Sequence, residues 1–271
     1  MKSIKTEAFL LHATPYGESD LVVALLTREC GRLSALARGA RRSRRRFGGT
    51  LDYFHLFEAL VQPGRSGLGR LLGVDLLRPF DAARSGEDGY WAGCHILEVA
   101  RLGTKEGDPD DGLFRLVEAS LAALDHGRDP GSLLAVFRTR VLAVLGYGLP
   151  TQTCPTCGRR YVDRGASRVG GAILCTGCAG PGGQALSPGA LRTLAAAQHL
   201  PLGRLGTLRT AGPIHRELTP LLEAALCAAL GKQPRSLSMA PREPRHTPRA
   251  LSPQRPSDPA AEETAGGSDA V

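Results

Sequence analysis

Short runs of alternating apolar and polar residues fill the first eighty positions and predict strands at Thr6–His12, Asp20–Thr27 and Arg32–Ala37. Turn material separates them, YGES after the first and the Glu29-Cys30-Gly31 corner before the third. Two longer runs, Tyr53–Val61 and Arg70–Leu77, flank the stretch QPGRSGLG, whose proline and three glycines suit a hairpin connection. Five short strands in this span fit a small closed or nearly closed barrel, and the OB-fold is a common nucleic-acid-binding version of it.

Near residue 86 the apolar spacing changes to that of helices. Helices are predicted at Glu87–Leu102 and Gly112–His126, and a third starts at Asp129-Pro130 and stops at Gly146. Asp129 offers an N-cap acceptor, and proline is tolerated at the first helical position. Ser187-Pro188 repeats that start for a fourth helix, and His215–Leu230 is a fifth. A cysteine-bearing segment interrupts the helices between LPTQT and GPGGQ. The expected fold is therefore α+β and multidomain: a five-stranded OB-fold β-barrel, then an α-helical domain with an inserted four-cysteine zinc module. The expected boundaries are 1–80 for the barrel, 81–150 and 183–238 for the helical domain, and 151–182 for the module. Residues 239–271 hold six prolines and almost no large apolar side chains, which predicts a disordered tail.

Composition narrows the class. Apolar residues make up 42% of 271, enough for a sizeable core, and no run approaches the length of a membrane span. No secretory signal is evident and the seven cysteines are odd in number, so a cytoplasmic chain without a disulfide framework is expected. The net charge of +8 is uneven. Residues 1–80 carry thirteen Lys and Arg against seven Asp and Glu, whereas residues 81–150 carry seven against eleven. Residues 151–180 add four Arg against one Asp, so two basic modules flank an acidic one, which favours a polyanionic partner; no membrane partner is expected.

Two clusters carry candidate chemistry. Cys154 and Cys157 form one C-x2-C pair, and Cys175 and Cys178 form the other, seventeen residues on. That spacing suits one structural Zn2+ held by four thiolates, with no open position for water or substrate. Arg38, Arg41, Arg42, Arg44, Arg45 and Arg46 fall within nine residues after the third strand. Such density suits a loop laid against a phosphate backbone, although charge runs are also commonly solvated loops. Enzymatic motifs are missing: there is no phosphate-binding G-x-x-x-x-G-K-[ST], no G-x-S-x-G and no metalloprotease His pair. Asp108, Asp110 and Asp111 read as helix-start charge.

Particular words in the sequence point further. YGESD at 16–20, Leu26-Thr27 leading to Gly31-Arg32, ARGARR at 37–42 and GTL at 49–51 resemble the N-terminal domain of the bacterial DNA repair RecO family. Ser187–Leu237 resembles that family's C-terminal region, and the order of the parts agrees. The resemblance implies a recombination mediator, not an enzyme in the usual sense. Such a protein binds single- and double-stranded DNA, anneals complementary strands, and recognises the C-terminal tail of single-strand DNA-binding protein. With RecR, and with RecF in some settings, it helps load RecA onto coated strands. It also implies DNA contact at the arginine loop, zinc at the four cysteines, and a cytoplasmic, nucleoid-associated protein. The tail-binding pocket lies in the family's helical domain, where no local motif marks it and where the net charge is −4. Two other classes fit the residues alone. One is a zinc-ribbon or OB factor of transcription or RNA metabolism. The other is a non-catalytic part of a nucleic-acid enzyme, whose nucleotide-binding lysine has no candidate among Lys2, Lys5, Lys105 and Lys232.

Overall fold

The computed structural model describes residues 2–43, 45–64, 67–210 and 212–239. Arg44 of the arginine cluster and the proline-rich tail beyond Met239 lie outside the described residues. Five strands, β1 (Ile4–Tyr16), β2 (Asp20–Thr27), β3 (Gly31–Ala37), β4 (His55–Gln62) and β5 (Leu68–Pro79), close into a barrel of order β1-β2-β3-β5-β4. Antiparallel β1 and β4 seal it, and β3 meets β5 in parallel, an OB-like arrangement. Inside, Ala8, Ala35, Ala37 and Ala59 leave room for Phe47 and Phe57.

β1 is longer than its alternation predicts. Ala8–Leu11 is a continuous apolar run because both faces of the strand are covered. Ala8 and Leu10 point into the barrel, whereas Phe9 and Leu11 join the core of the helical domain. Beyond Leu10 a bulge shifts the register, and His12–Tyr16 pairs only with β2. This arm is largely solvated, so its sequence shows no amphipathic period.

Helices α1 (Glu87–Gly103), α2 (Asp111–Asp125) and α3 (Pro130–Val144) follow. Asp110 caps α2 by accepting from Leu113 N at 2.9 Å, and Asp129 caps α3 by accepting from Ser132 N at 2.8 Å. The cysteine segment comes next, with α4 (Tyr161–Arg164), β6 (Ala166–Val169), β7 (Ala172–Cys175), α5 (Thr176–Ala179) and β8 (Gln184–Leu186). Its strands form a small sheet of order β7-β6-β8, too short to leave a periodic signal. Helices resume as α6 (Pro188–His199), α7 (Gly212–Leu230) and α8 (Arg235–Ser238). α3 is buried on nearly all sides and packs against α1, α2, α6 and α7.

Barrel and helices meet through an aromatic seam. Phe9 lies 5.3 Å from Phe114 of α2 and 6.2 Å from Phe80, centroid to centroid, and such pairs contribute about 0.5–1.5 kcal/mol beyond burial. Arg28, at the end of β2, covers the Phe114 ring at 4.4 Å and pairs with Glu7, Asp111 and Glu118 at 2.7, 3.0 and 3.2 Å. The lower edge of β3 is covered by the α1–α2 connection, where Gly107 N donates to Arg32 O at 3.0 Å. There Gly31 has a φ of +66°, and a Cβ on it would stand 2.2 Å from the carbonyl oxygen of Asp108.

A polar network holds the last turn of the chain's helical part. His95 is fully buried, receives Arg138 Nε at Nε2 (3.1 Å), and meets Ser236 Oγ through Nδ1 at 2.7 Å. The carboxylate of Glu98 accepts from the backbone amides of Arg235 and Ser236. Arg138, itself buried, pairs with Glu223 at 3.2 Å, and its Nη2 has no hydrogen-bond partner among the described residues. Burial first, and the charge of Arg138 second, hold the His95 pKa well below 6.5.

Two outcomes are expected. Gly31→Ala combines an unfavourable φ with a backbone clash and should destabilise by about 1–3 kcal/mol, read as a lower urea midpoint at unchanged m-value. His95 stays neutral in the folded state while the unfolded chain takes up a proton near pH 6.5. Its contribution is therefore whole above that pH and lost as pH falls below it, with a slope of up to about 1.4 kcal/mol per pH unit. His95→Gln should flatten the acid limb of the stability profile, and an unchanged limb would show that His95 titrates freely.

Candidate metal centre and nucleic-acid interface

Two tight turns build the cysteine cluster. In the first, Gly158 N donates to Cys154 O and Cys154 N donates to Arg159 O, both at 2.9 Å, and Gly158 takes a φ of +70°. In the second, Cys175 ends β7 and Cys178 lies on α5. All four Sγ atoms lie within 4.8 Å of one another, and Cys157 Sγ is 3.6 Å from Cys175 Sγ. Four sulfurs at about 2.3 Å from a common ion would stand about 3.8 Å apart, so the spacing fits a tetrahedral metal. Cys154 and Cys175 are buried, Cys178 is half-buried and Cys157 is exposed.

The electrostatics also fit a cation. The backbone amide of Cys175, with those of Cys157 and Thr156, pulls the Cys154 pKa down to about 6 against the cost of its desolvation. Hydrogen bonds with Cys157 and Cys175, then burial, push Cys178 up to about 12. Crowded thiols lose their first proton easily and resist losing the last, and a divalent cation removes that resistance. These four residues could hold a metal ion.

The module is welded to the helices. Tyr161 OH donates to Ile173 O at 2.9 Å, and Gly171, in the β6–β7 turn, lies so near α7 that a Cβ would be 2.4 Å from Ala225 N. Cys154, Tyr161, Ala166 and Ile173 belong to the same apolar core as α3 and α7.

The arginine cluster occupies the connection between β3 and β4. Arg38, Arg41, Arg42, Arg45 and Arg46 are all exposed. The loop lies against the β1–β2 hairpin: Arg41 N donates to Ser19 O at 3.0 Å, Gly39 N to Asp20 Oδ1 at 2.7 Å, and Arg41 Nη1 to Glu18 O at 3.2 Å. Arg42 faces Glu18 at 3.5 Å, an exposed pair of little energetic weight. Arg46 turns back onto its own loop. Its Nη2 donates to Arg38 O at 2.8 Å and its guanidinium lies 5.2 Å from the Phe47 ring centroid, so it braces the loop. Phe47, only 3% exposed, plugs into the barrel core, and Arg46 O accepts from Val74 N on β5.

Phe47 anchors the loop, and it is the one large apolar side chain among residues 38–50. The neighbouring aromatics are equally occupied: Phe54 and Phe57 are fully buried and Tyr53 is half-buried. Phe54 takes a φ of +61° and lies against Gly93, where a Cβ would stand 2.6 Å from its ring. None of the three buried rings faces solvent for base stacking.

These features define an OB-like barrel protein with a helical domain and a thiol-rich candidate metal site. Residues 1–80 match the family described as recombination protein O N terminal, and residues 88–238 match recombination protein O C terminal. Proteins named DNA repair protein RecO are similar along most of the chain. That of Anaeromyxobacter sp. (strain K) is 40% identical over 242 residues, 86% of this chain and 94% of the relative. That of Geobacter sulfurreducens is 36% identical over 241 residues, 88% and 97% of the two chains. That of Rhodopirellula baltica is 31% identical over 265 residues, 86% and 97%. The chain belongs to the RecO family of DNA repair proteins.

Cys154→Ser should lower bound metal, measured by elemental analysis of the purified protein, and lower the melting temperature with it. A wild-type protein purified without stoichiometric metal would remove the site altogether.

Proposed function

We propose that this chain is a recombination mediator that holds DNA through the arginine loop. Five exposed arginines on a loop pinned at Phe47 support this reading. Each guanidinium that neutralises a phosphate releases condensed counterions and adds salt-dependent, sequence-independent affinity for single- and double-stranded DNA. Neutralisation also lowers the repulsion between two strands, a physical route to annealing. The partners are those of the family: RecR, the C-terminal tail of single-strand DNA-binding protein, and RecF and RecA indirectly. With them the chain helps load RecA onto coated strands in the bacterial cytoplasm.

Cys154, Cys157, Cys175 and Cys178 would hold one structural Zn2+, because an all-thiolate set favours that ion and leaves no position open for chemistry. The arginine loop would do the work on DNA. No step requires turnover of a bond. The functional division follows the boundaries 1–80, 81–150, 151–182 and 183–238, with the tail at 239–271 outside it.

The experiment is strand annealing on DNA coated with single-strand DNA-binding protein, paired with salt-dependent binding to single strands, duplex and RNA. Replacing Arg38, Arg41, Arg42 and Arg45 with alanine, and sparing the bracing Arg46, should slow annealing. It should also reduce the log–log salt slope by about 0.7 for each lost single-strand phosphate contact. An unchanged slope would sink the loop assignment. Preference for RNA over both forms of DNA would instead favour an RNA-binding factor.

A further inference from the structure

Between the cysteine module and α6 lies a cleft of about 550 Å³, within the usual size of a ligand site. α6 presents two faces. Ala190, Leu194 and Ala197 are buried in the core, whereas Pro188, Leu191, Arg192 and Ala195 line the cleft. The opposite wall is Arg160 with Tyr161 and Val162 of α4, and its position is set by the first cysteine turn. There Tyr161 N donates to Gln152 O at 3.0 Å, beside the link from Cys154 to Arg159.

Three observations bear on what the cleft takes. Arg160 and Arg192 are both exposed, and neither guanidinium has an ion pair or hydrogen bond among the described residues. No carboxylate among the described residues lines the cleft; the exposed Asp163 lies next in sequence to Val162 but is not part of the lining. Val162 is 81% exposed, an apolar side chain standing in solvent beside two cations, and Gln152 adds an amide with both a donor and an acceptor. Guanidinium forks match phosphate oxygens, the amide matches a base edge, and the apolar wall suits a sugar or base face. An acidic peptide would also satisfy the cations and, through its backbone, the Gln152 amide; a nucleic-acid strand is favoured because residues 151–180 carry four arginines against one aspartate, which suits phosphates that continue beyond the cleft.

We propose that this cleft is a second nucleic-acid site, taking one nucleotide of a single strand with Arg160 and Arg192 on its flanking phosphates. Gln152 meets the base edge, and Val162 and Leu191 meet the sugar and base. The inference rests on the reading of the chain as a DNA-binding protein, but it uses none of the arginine-loop residues. A duplex does not enter a space of this size, so the cleft distinguishes single strands from paired ones.

The test uses the full chain, labelled oligothymidylate and duplex of equal length, and anisotropy titrations across a salt series. Arg160→Ala with Arg192→Ala should weaken single-strand binding several-fold and reduce its log–log salt slope by about 1.4, leaving duplex binding nearly unchanged. Both side chains are exposed, so an unaltered melting temperature and metal content confirm that the variant folds. Wild-type protein that binds neither DNA would overturn the DNA reading itself. Wild-type binding that the loop variant weakens and the cleft variant leaves intact would overturn the cleft alone. An acidic peptide arm adds a third outcome: peptide binding lost in the cleft variant, with single-strand binding unchanged, makes the cleft a protein-docking site and refutes the proposal.

Discussion

The double-sided burial of β1 is the constraint on which the rest of the molecule depends. Ala8 and Leu10 complete the barrel while Phe9 and Leu11 complete the helical core, so one strand is the wall of both. A slip of one residue would drive Phe9 into a lumen already filled by Phe47 and Phe57 and withdraw it from Phe114. Arg28 closes the seam at the solvent edge. Its three carboxylate partners are partly exposed and each pair contributes little alone, but together they position β1, β2 and α2 around one cation. Barrel and helices are therefore expected to lose structure together.

The second core device is the burial of polar groups inside the helices. Arg138 is a charge taken out of water, and its cost is offset by Glu223 on one side and the neutral His95 on the other. His95 in turn reaches Ser236, so the network ties the end of the helical domain back onto α1. Trp91 adds a bond from its indole nitrogen to Ser236 O at 2.7 Å. The last described residues are held by these polar contacts instead of by a large apolar face.

Much of this was legible from residue patterns. The strands of the barrel and the capped starts of α3 and α6 carry strong local signals, alternation in one case and Asp-Pro or Ser-Pro in the other. The C-x2-C spacing anticipated that four distant sulfurs would meet, because each pair is brought together by its own turn. What the residues did not disclose depends on long-range contact. The arm of β1 beyond Leu11 is largely solvated and has no period to read. The strands of the cysteine module are three or four residues long and exist by pairing with each other. The cleft beside α6 has residues from three separate stretches of chain, and Arg160 and Arg192 are thirty-two positions apart. The arginine run was conspicuous by density, yet the division of labour within it, with Arg46 as brace, is visible only in three dimensions.

The pinning of the arginine loop has a consequence for the thermodynamics of association. Ordering a backbone residue costs about 1–2 kcal/mol, and a floppy basic loop meets that cost each time it grips a ligand. Here the barrel has already met it on folding, through Phe47 in the core, Gly39 on Asp20 and Arg41 on Ser19. At those pinned positions only side-chain rotamers would remain to be fixed by a phosphate. A preorganised cationic surface of this kind spends little of its electrostatic attraction on its own ordering, so in the DNA-holding role proposed above more of that attraction would be retained as residence time on the strand.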